Sequence, residues 1–200
     1  MRFLFTIFIF IPVLLHSQPA IYYYQNGNGK VALHQDYRGA IADYNKAIEL
    51  DPQYINAYHN RGIAKANLKD YQGAIADFNK AIELDPQLAK AYNNRGLVKY
   101  DLKDYRGAKA DYNKAIELNP QYIEAYINRG IAKANLQDSQ GAIADFNKAI
   151  ELDPKDPKAY NNRGLIKLSL GQKESGCLDL SKAGELGDAS AYDLIKKYCN

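Results

Sequence analysis

The sequence has no tryptophan, three histidines and two cysteines. His16, His34 and His59 stand far apart, and none has a second ligand at metal-binding spacing. Cys177 and Cys199 form an isolated pair near the end of the chain. No serine sits in a G-x-S-x-G elbow, so a nucleophile of that kind is missing. GNGK at 27–30 looks faintly phosphate-binding, but it lacks the G-x-x-x-x-G-K-[ST] frame and a preceding strand. No convergent catalytic constellation can be assembled, which argues against an enzyme and against any cofactor or metal. Glycine is at ordinary usage and proline is sparse, at 14 and 7 residues, which argues against a collagen-like or disordered chain. A block of one charge is also lacking. The net charge is +3, with Lys and Arg interleaved among Asp and Glu, so no basic stripe marks a nucleic-acid binder.

Long apolar runs are absent apart from one. Arg2 precedes Phe3–Leu15, thirteen residues without a charge, and HSQPA follows. That is the order of a secretory signal peptide. As a helix the run would reach roughly 20 Å, short of a hydrocarbon core of about 30 Å, and Pro12 weakens it further as an anchor. The expectation is a signal peptide over 1–17, cleaved after Ser17, or alternatively after Ala20. The mature chain would be exported, periplasmic or extracellular, with no stable membrane insertion. In an oxidising compartment Cys177 and Cys199 are expected to form a disulfide.

What the chain has in abundance is one phrase. NKAIELDP occupies 45–52, 79–86 and 147–154, and NKAIELNP occupies 113–120, each 34 residues after the last. A fixed period of this length signals a repeat architecture. Seventeen tyrosines follow from it, because one slot is copied. Within 55–88, NAYHNRGIAKANL reads as one amphipathic helix and YQGAIADFNKAIEL as a second, with Asp70 placed as an N-cap. Pro86 lacks the N–H to continue the helix and pushes Asp85 out of the helical region. The phrase is therefore a helix end with its stop. Gly62, Ala74 and Ala81 are small enough to let two helices approach, with Tyr58 and Phe78 as the matching knobs. Helix pairs this short need neighbours to close a core.

The period of 34 and the order Tyr58, Gly62, Tyr71, Ala74, Phe78, Ala81, Pro86 resemble the tetratricopeptide repeat (TPR). The resemblance implies an all-α, right-handed solenoid of about five helix-turn-helix units. They are a degenerate first repeat at 30–54, then 55–88, 89–122, 123–156 and a degenerate fifth at 157–190, closed by a capping helix at 191–200. Ala191, Leu194, Ile195 and Tyr198 are its expected inner face. Residues 18–29 are expected to be poorly ordered, because Asn28 falls where the helix glycine belongs and two glycines flank it. Leader and composition together also look like exported proteins of the Bacteroidetes.

The resemblance further implies that first helices line a concave groove. The repeated polar residues there are Asn60, Asn94, Asn128 and Asn162, one per unit. Each amide could match the backbone of an extended peptide; alternatively, these amides cap local backbone or meet water. Ile63, Leu97, Ile131 and Leu165 add an aliphatic stripe, and Tyr100 an aromatic anchor. His59, Asn93, Ile127 and Asn161 stand where chaperone-binding relatives carry a carboxylate-clamping lysine, so that clamp is missing. A second ladder, Arg61, Arg95, Arg129 and Arg163, matches the rhythm of Asp77, Asp111 and Asp145, and of Asp43 and Asp179. It reads as structural ion pairs, or alternatively as an anion-binding stripe. The expected function is a non-catalytic protein–protein interaction scaffold holding a peptide or helix of a partner. A holdase for exported unfolded chains and an enzyme accessory subunit are the alternatives. Oligomeric state is not legible.

Overall fold

The computed structural model describes residues 14–199, with side chains from residue 19 onward. The leader expected over 1–17 lies outside the described residues as far as residue 13. Eleven α-helices run through the described part: α1 Leu14–His34, α2 Tyr37–Leu50, α3 Ile55–Asn67, α4 Tyr71–Leu84, α5 Ala89–Asp101, α6 Tyr105–Leu118, α7 Ile123–Asn135, α8 Ser139–Leu152, α9 Pro157–Ser169, α10 Lys173–Glu185 and α11 Ser190–Tyr198. Each odd-numbered helix from α1 to α9 packs on the next as a hairpin, and each hairpin packs on its neighbours. The fold is an α-α solenoid. The first helices also touch one another, α1 on α3, α3 on α5, α5 on α7 and α7 on α9. They therefore lie on the inside of the bend.

The repeated phrase can be read letter by letter. Asn79 Oδ1 accepts from Arg95 Nη1 of the following repeat at 2.6 Å. Lys80 pairs with Glu83 on the surface at 2.7 Å, a contact worth a few tenths of a kcal/mol. Ala81 is completely buried. Asp85 leaves the helix with φ −138°, and its carboxylate accepts from Gln87 N at 2.9 Å, which sets the turn around Pro86. The other end is as regular. Asp36, Asp70, Asp104 and Asp138 each accept from the backbone N–H of a glycine three residues on, at 2.9–3.0 Å. A Cβ at Gly73 would stand 2.2 Å from the Asp70 carboxylate, so cap and glycine come as a pair.

The core is a column of hairpin junctions. Tyr44, Phe78, Tyr112, Phe146 and Leu180 are buried, one per repeat. The aromatic rings lie against a glycine of the partner helix. A Cβ at Gly62, Gly96 or Gly130 would meet ring atom Cε1 of its partner at 2.7–2.8 Å. Tyr58, expected as a second core knob, is only half-buried. Its ring stacks under Arg61, whose Cζ lies 5.4 Å from the centroid.

The first repeat departs from expectation. α1 is continuous through residues 18–29, and Ala20 is 1% exposed. The close-approach glycine is Gly27, not position 28: a Cβ there would lie 2.6 Å from Tyr44 Cε1. One extra residue separates it from its ring, so Gly27 pairs with Tyr44 where Gly62 pairs with Phe78. Tyr24 packs on Tyr44 and Tyr54, with ring centroids 6.0 and 4.9 Å apart. This packing outweighs the helix cost of a glycine, about 1 kcal/mol.

At the other end α11 packs on α10. A disulfide joins Cys177 to Cys199, whose Cα atoms are 5.8 Å apart. Ala191 is buried and Leu194 and Ile195 are half-buried. Tyr198, expected on the inner face, is 41% exposed. It sits at the last turn, where Lys197 Nζ lies 4.8 Å from its ring centroid. Tyr192 lies over Gly184, where a Cβ would stand 3.1 Å from its ring, but it is 60% exposed.

Candidate functional site

Two polar systems and one apolar one recur along the solenoid. The first polar system bridges first and second helices. Arg61, Arg95, Arg129 and Arg163 each donate twice to the aspartate of their own hairpin, Asp77, Asp111, Asp145 and Asp179. Nε bonds at 2.8–2.9 Å and Nη2 at 2.6 Å. Nη1 reaches back to Asn45, Asn79, Asn113 or Asn147 of the preceding repeat at 2.6–2.9 Å. Lys65, Lys99, Lys133 and Lys167 approach the same carboxylates at 2.7–2.9 Å. The aspartates are nearly buried, at 3–6% exposure. Each guanidinium of this ladder is thus paired within its own fold. These lysines were not singled out in the sequence, although they repeat every 34 residues. In the first hairpin Lys30 alone meets Asp43, at 2.7 Å.

The second polar system threads the first helices. Asn60 Nδ2 donates to Asn28 Oδ1 at 2.9 Å and to Tyr24 Oη at 3.1 Å. Tyr44 Oη also donates to Asn28 Oδ1, at 2.8 Å; burial pushes its hydroxyl up to about 12, so the proton stays in place. His59 Nδ1 lies 3.1 Å from Asn60 Oδ1, and His59 Nε2 lies 3.0 Å from Asn94 Nδ2. A neutral ring protonated at Nδ1 satisfies both contacts. Asn93 Nδ2 donates to Asn94 Oδ1 at 3.3 Å, and Asn128 Nδ2 donates to Asn93 Oδ1 at 3.0 Å. Two places of the missing lysine clamp, His59 and Asn93, therefore take part in a relay that joins α1, α3, α5 and α7. In the fifth repeat Asn161 Nδ2 donates to Asp188 and to Ser190 Oγ, so it ties the cap.

The relay changes what the asparagine ladder can offer. Both N–H groups of Asn60 are used inside the fold. Asn94, Asn128 and Asn162 each use one and keep one, Asn162 by bonding Lys158 O at 2.8 Å.

Burial, above all, lowers the pKa of His59 from its ordinary value; the nearby Lys90 charge adds to this, and the Asn60 contact opposes it. A lowered folded pKa means that the neutral form favours the fold. That stability is complete above the unfolded value, about 6.5, and is lost as pH falls toward the folded pKa. His59→Asn, which copies Asn93, is expected to flatten the fall in melting temperature between about pH 7 and 5. A melting series across that range checks it.

The apolar system is a row of cavities between successive first helices. One of about 330 Å³ lies between α3 and α5, lined by Ile63, Ala66, Leu97, Val98, Asn94 and Asp101 among others. A second, of about 250 Å³, lies between α5 and α7, lined by Leu97, Tyr100, Asp101, Tyr112, Asn128 and Ile131. A third, of about 200 Å³, lies between α1 and α3 and includes Asn60, Ile63 and Val31. Tyr100 is half-spent structurally: its ring packs on Tyr105 at 5.2 Å and its hydroxyl accepts from Asn135 at 3.1 Å. Leu165, on the corresponding turn of α9, is half-buried. Among the described residues no group of three or more His, Cys, Asp or Glu could hold a metal ion, and no helix is long and apolar enough to cross a membrane.

Sequence models of this hairpin match along most of the solenoid. One described as a TPR repeat matches 34–69, 67–103 and 135–171, and two described as tetratricopeptide repeats match 89–122 and 111–144. The chain belongs to the tetratricopeptide repeat family. No curated protein sequence matches it. Among solved TPR-like structures, MamA is 26% identical with a TM-score of 0.73, covering 83% of this chain and 96% of its own. YrrB, described as a TPR protein with an unusual peptide-binding site, is 27% identical with a TM-score of 0.70, covering 89% and 92%. PilW, described as a type IV pilus biogenesis factor, is 25% identical with a TM-score of 0.77, covering 84% and 78%.

Proposed function

We propose that this TPR chain is a non-catalytic interaction module that holds a peptide segment of a partner protein against its first helices. The row of apolar cavities between those helices carries the reading, because each is open, recurs with the repeat and has an amide at its edge. The description of YrrB as a peptide-binding TPR protein supports it. The missing lysine clamp argues against capture of a C-terminal carboxylate. The apolar leader and the Cys177–Cys199 bridge support an exported location.

Leu97 borders two cavities and is 40% exposed. Leu97→Asp is therefore expected to leave the helical circular dichroism spectrum intact and to lower peptide binding about tenfold or more on a peptide array. Unchanged binding by this variant would reject the groove. Spare N–H groups on Asn94 and Asn128 also suit a holdase that reads backbone alone. On the same array a scaffold selects a few sequences, whereas a holdase binds many.

A further inference from the structure

The two larger cavities share Leu97 and Asp101. Asp101 is the last residue of α5 and is exposed. The positions 34 residues away on either side hold Asn67 and Asn135. Those amides are engaged with their own helices, through Ile63 O and Ile131 O. A carboxylate cannot donate such a bond, and Asp101 has neither a hydrogen bond nor an ion pair among the described residues. Of all residues lining the three cavities, it alone carries a formal charge. It also lies near the floor of the second cavity: after burial, its charge is the next cause raising the pKa of Tyr112.

The other aspartates of the repeats have assigned work, as helix caps or as partners of arginine and lysine. Asp101 breaks the period and stands unpaired between two apolar openings. Successive helices pack about 8–10 Å apart. A peptide in the extended polyproline II conformation advances about 3.1 Å per residue with three residues per turn, so side chains three positions apart share a face and would enter neighbouring cavities.

We propose that this part of the groove takes an extended peptide in which a Lys or Arg lies between two aliphatic residues three positions apart. The aliphatic side chains fill the α3–α5 and α5–α7 cavities, and the cation meets Asp101. The free N–H groups of Asn94 and Asn128 face the peptide backbone carbonyls. The assignment rests on the groove reading and adds a charge preference to it.

An array of randomised hexapeptides probed with the full chain tests it, alongside Asp101→Asn and Leu97→Asp. The wild-type set is expected to be enriched in Lys or Arg between aliphatic residues. In Asp101→Asn that basic preference disappears, the aliphatic preference remains, and a labelled Leu-Lys-Gly-Leu probe binds about 3- to 10-fold more weakly in low salt. A basic preference that survives in Asp101→Asn, or a wild-type set blind to charge, overturns the role of Asp101 and leaves the groove standing. Peptide binding that is absent, or untouched by Leu97→Asp, removes the groove as well. Self-association of the wild type that Leu97→Asp abolishes would make a second copy of the chain the occupant and overturn the peptide assignment.

Discussion

Asp111→Ala is expected to destabilise the solenoid by about 3 kcal/mol, lowering the melting temperature by roughly 6–12 °C. Asp111 is 5% exposed and compensates two cations at once, Arg95 through two hydrogen bonds and Lys99 through an ion pair at 2.7 Å. Removing the carboxylate orphans both charges in a partly desolvated place. The Arg95 and Lys99 side chains are 18% and 24% exposed, so some water reaches them, and the loss falls at the low end of the range for breaking a buried pair. The control is Arg95→Met with Asp111→Leu. Removing both partners deletes the orphaned guanidinium and frees Lys99 to turn outward, and most of the stability should return. Arg95→Ala alone should also unfold the chain sooner, before any change in peptide binding. Urea melts followed by circular dichroism measure all three. If Asp111→Ala melts like the wild type, the ion pairs are ornamental and the arginine stripe is open to another role.

The Arg–Asp pairing was legible in the sequence because both partners keep the same beat and a repeated lone charge would be costly. Lys65 and its copies keep that beat too, so they could have been read from the period alone. The hairpins and their stops were legible because a proline and an N-cap act within a few residues of themselves. The inter-repeat relay was not. Whether His59 meets Asn94 depends on how adjacent helices are rotated, and periodicity says nothing of that rotation. The first repeat was misread for a related reason. Two glycines flank Asn28, and only the ring of Tyr44 decides which one the fold uses. Asp101 was not legible from the period, because it stands where the neighbouring repeats carry asparagine.

The close approach of glycine to ring is the device that makes these hairpins pair, and a double-mutant cycle isolates it. Phe146 is 1% exposed and packs in the cluster formed by Tyr126, Ile127, Ala142, Ala149 and Ala159. Phe146→Ala should cost about 3–5 kcal/mol, through lost transfer energy and the cavity left behind. Gly130→Ala places a methyl 2.7 Å from Phe146 Cε1, so the ring or the helix must shift, at about 1–3 kcal/mol. With the ring gone, the same methyl has room. It then gains the ordinary advantage of alanine over glycine within a helix, about 1 kcal/mol. Gly130→Ala should therefore destabilise the wild type and stabilise the Phe146→Ala protein, a coupling of roughly 2–4 kcal/mol. Denaturant melts of the four proteins measure it. Additive effects would mean that the glycine is retained for some property of α7 itself and that ring and glycine act independently.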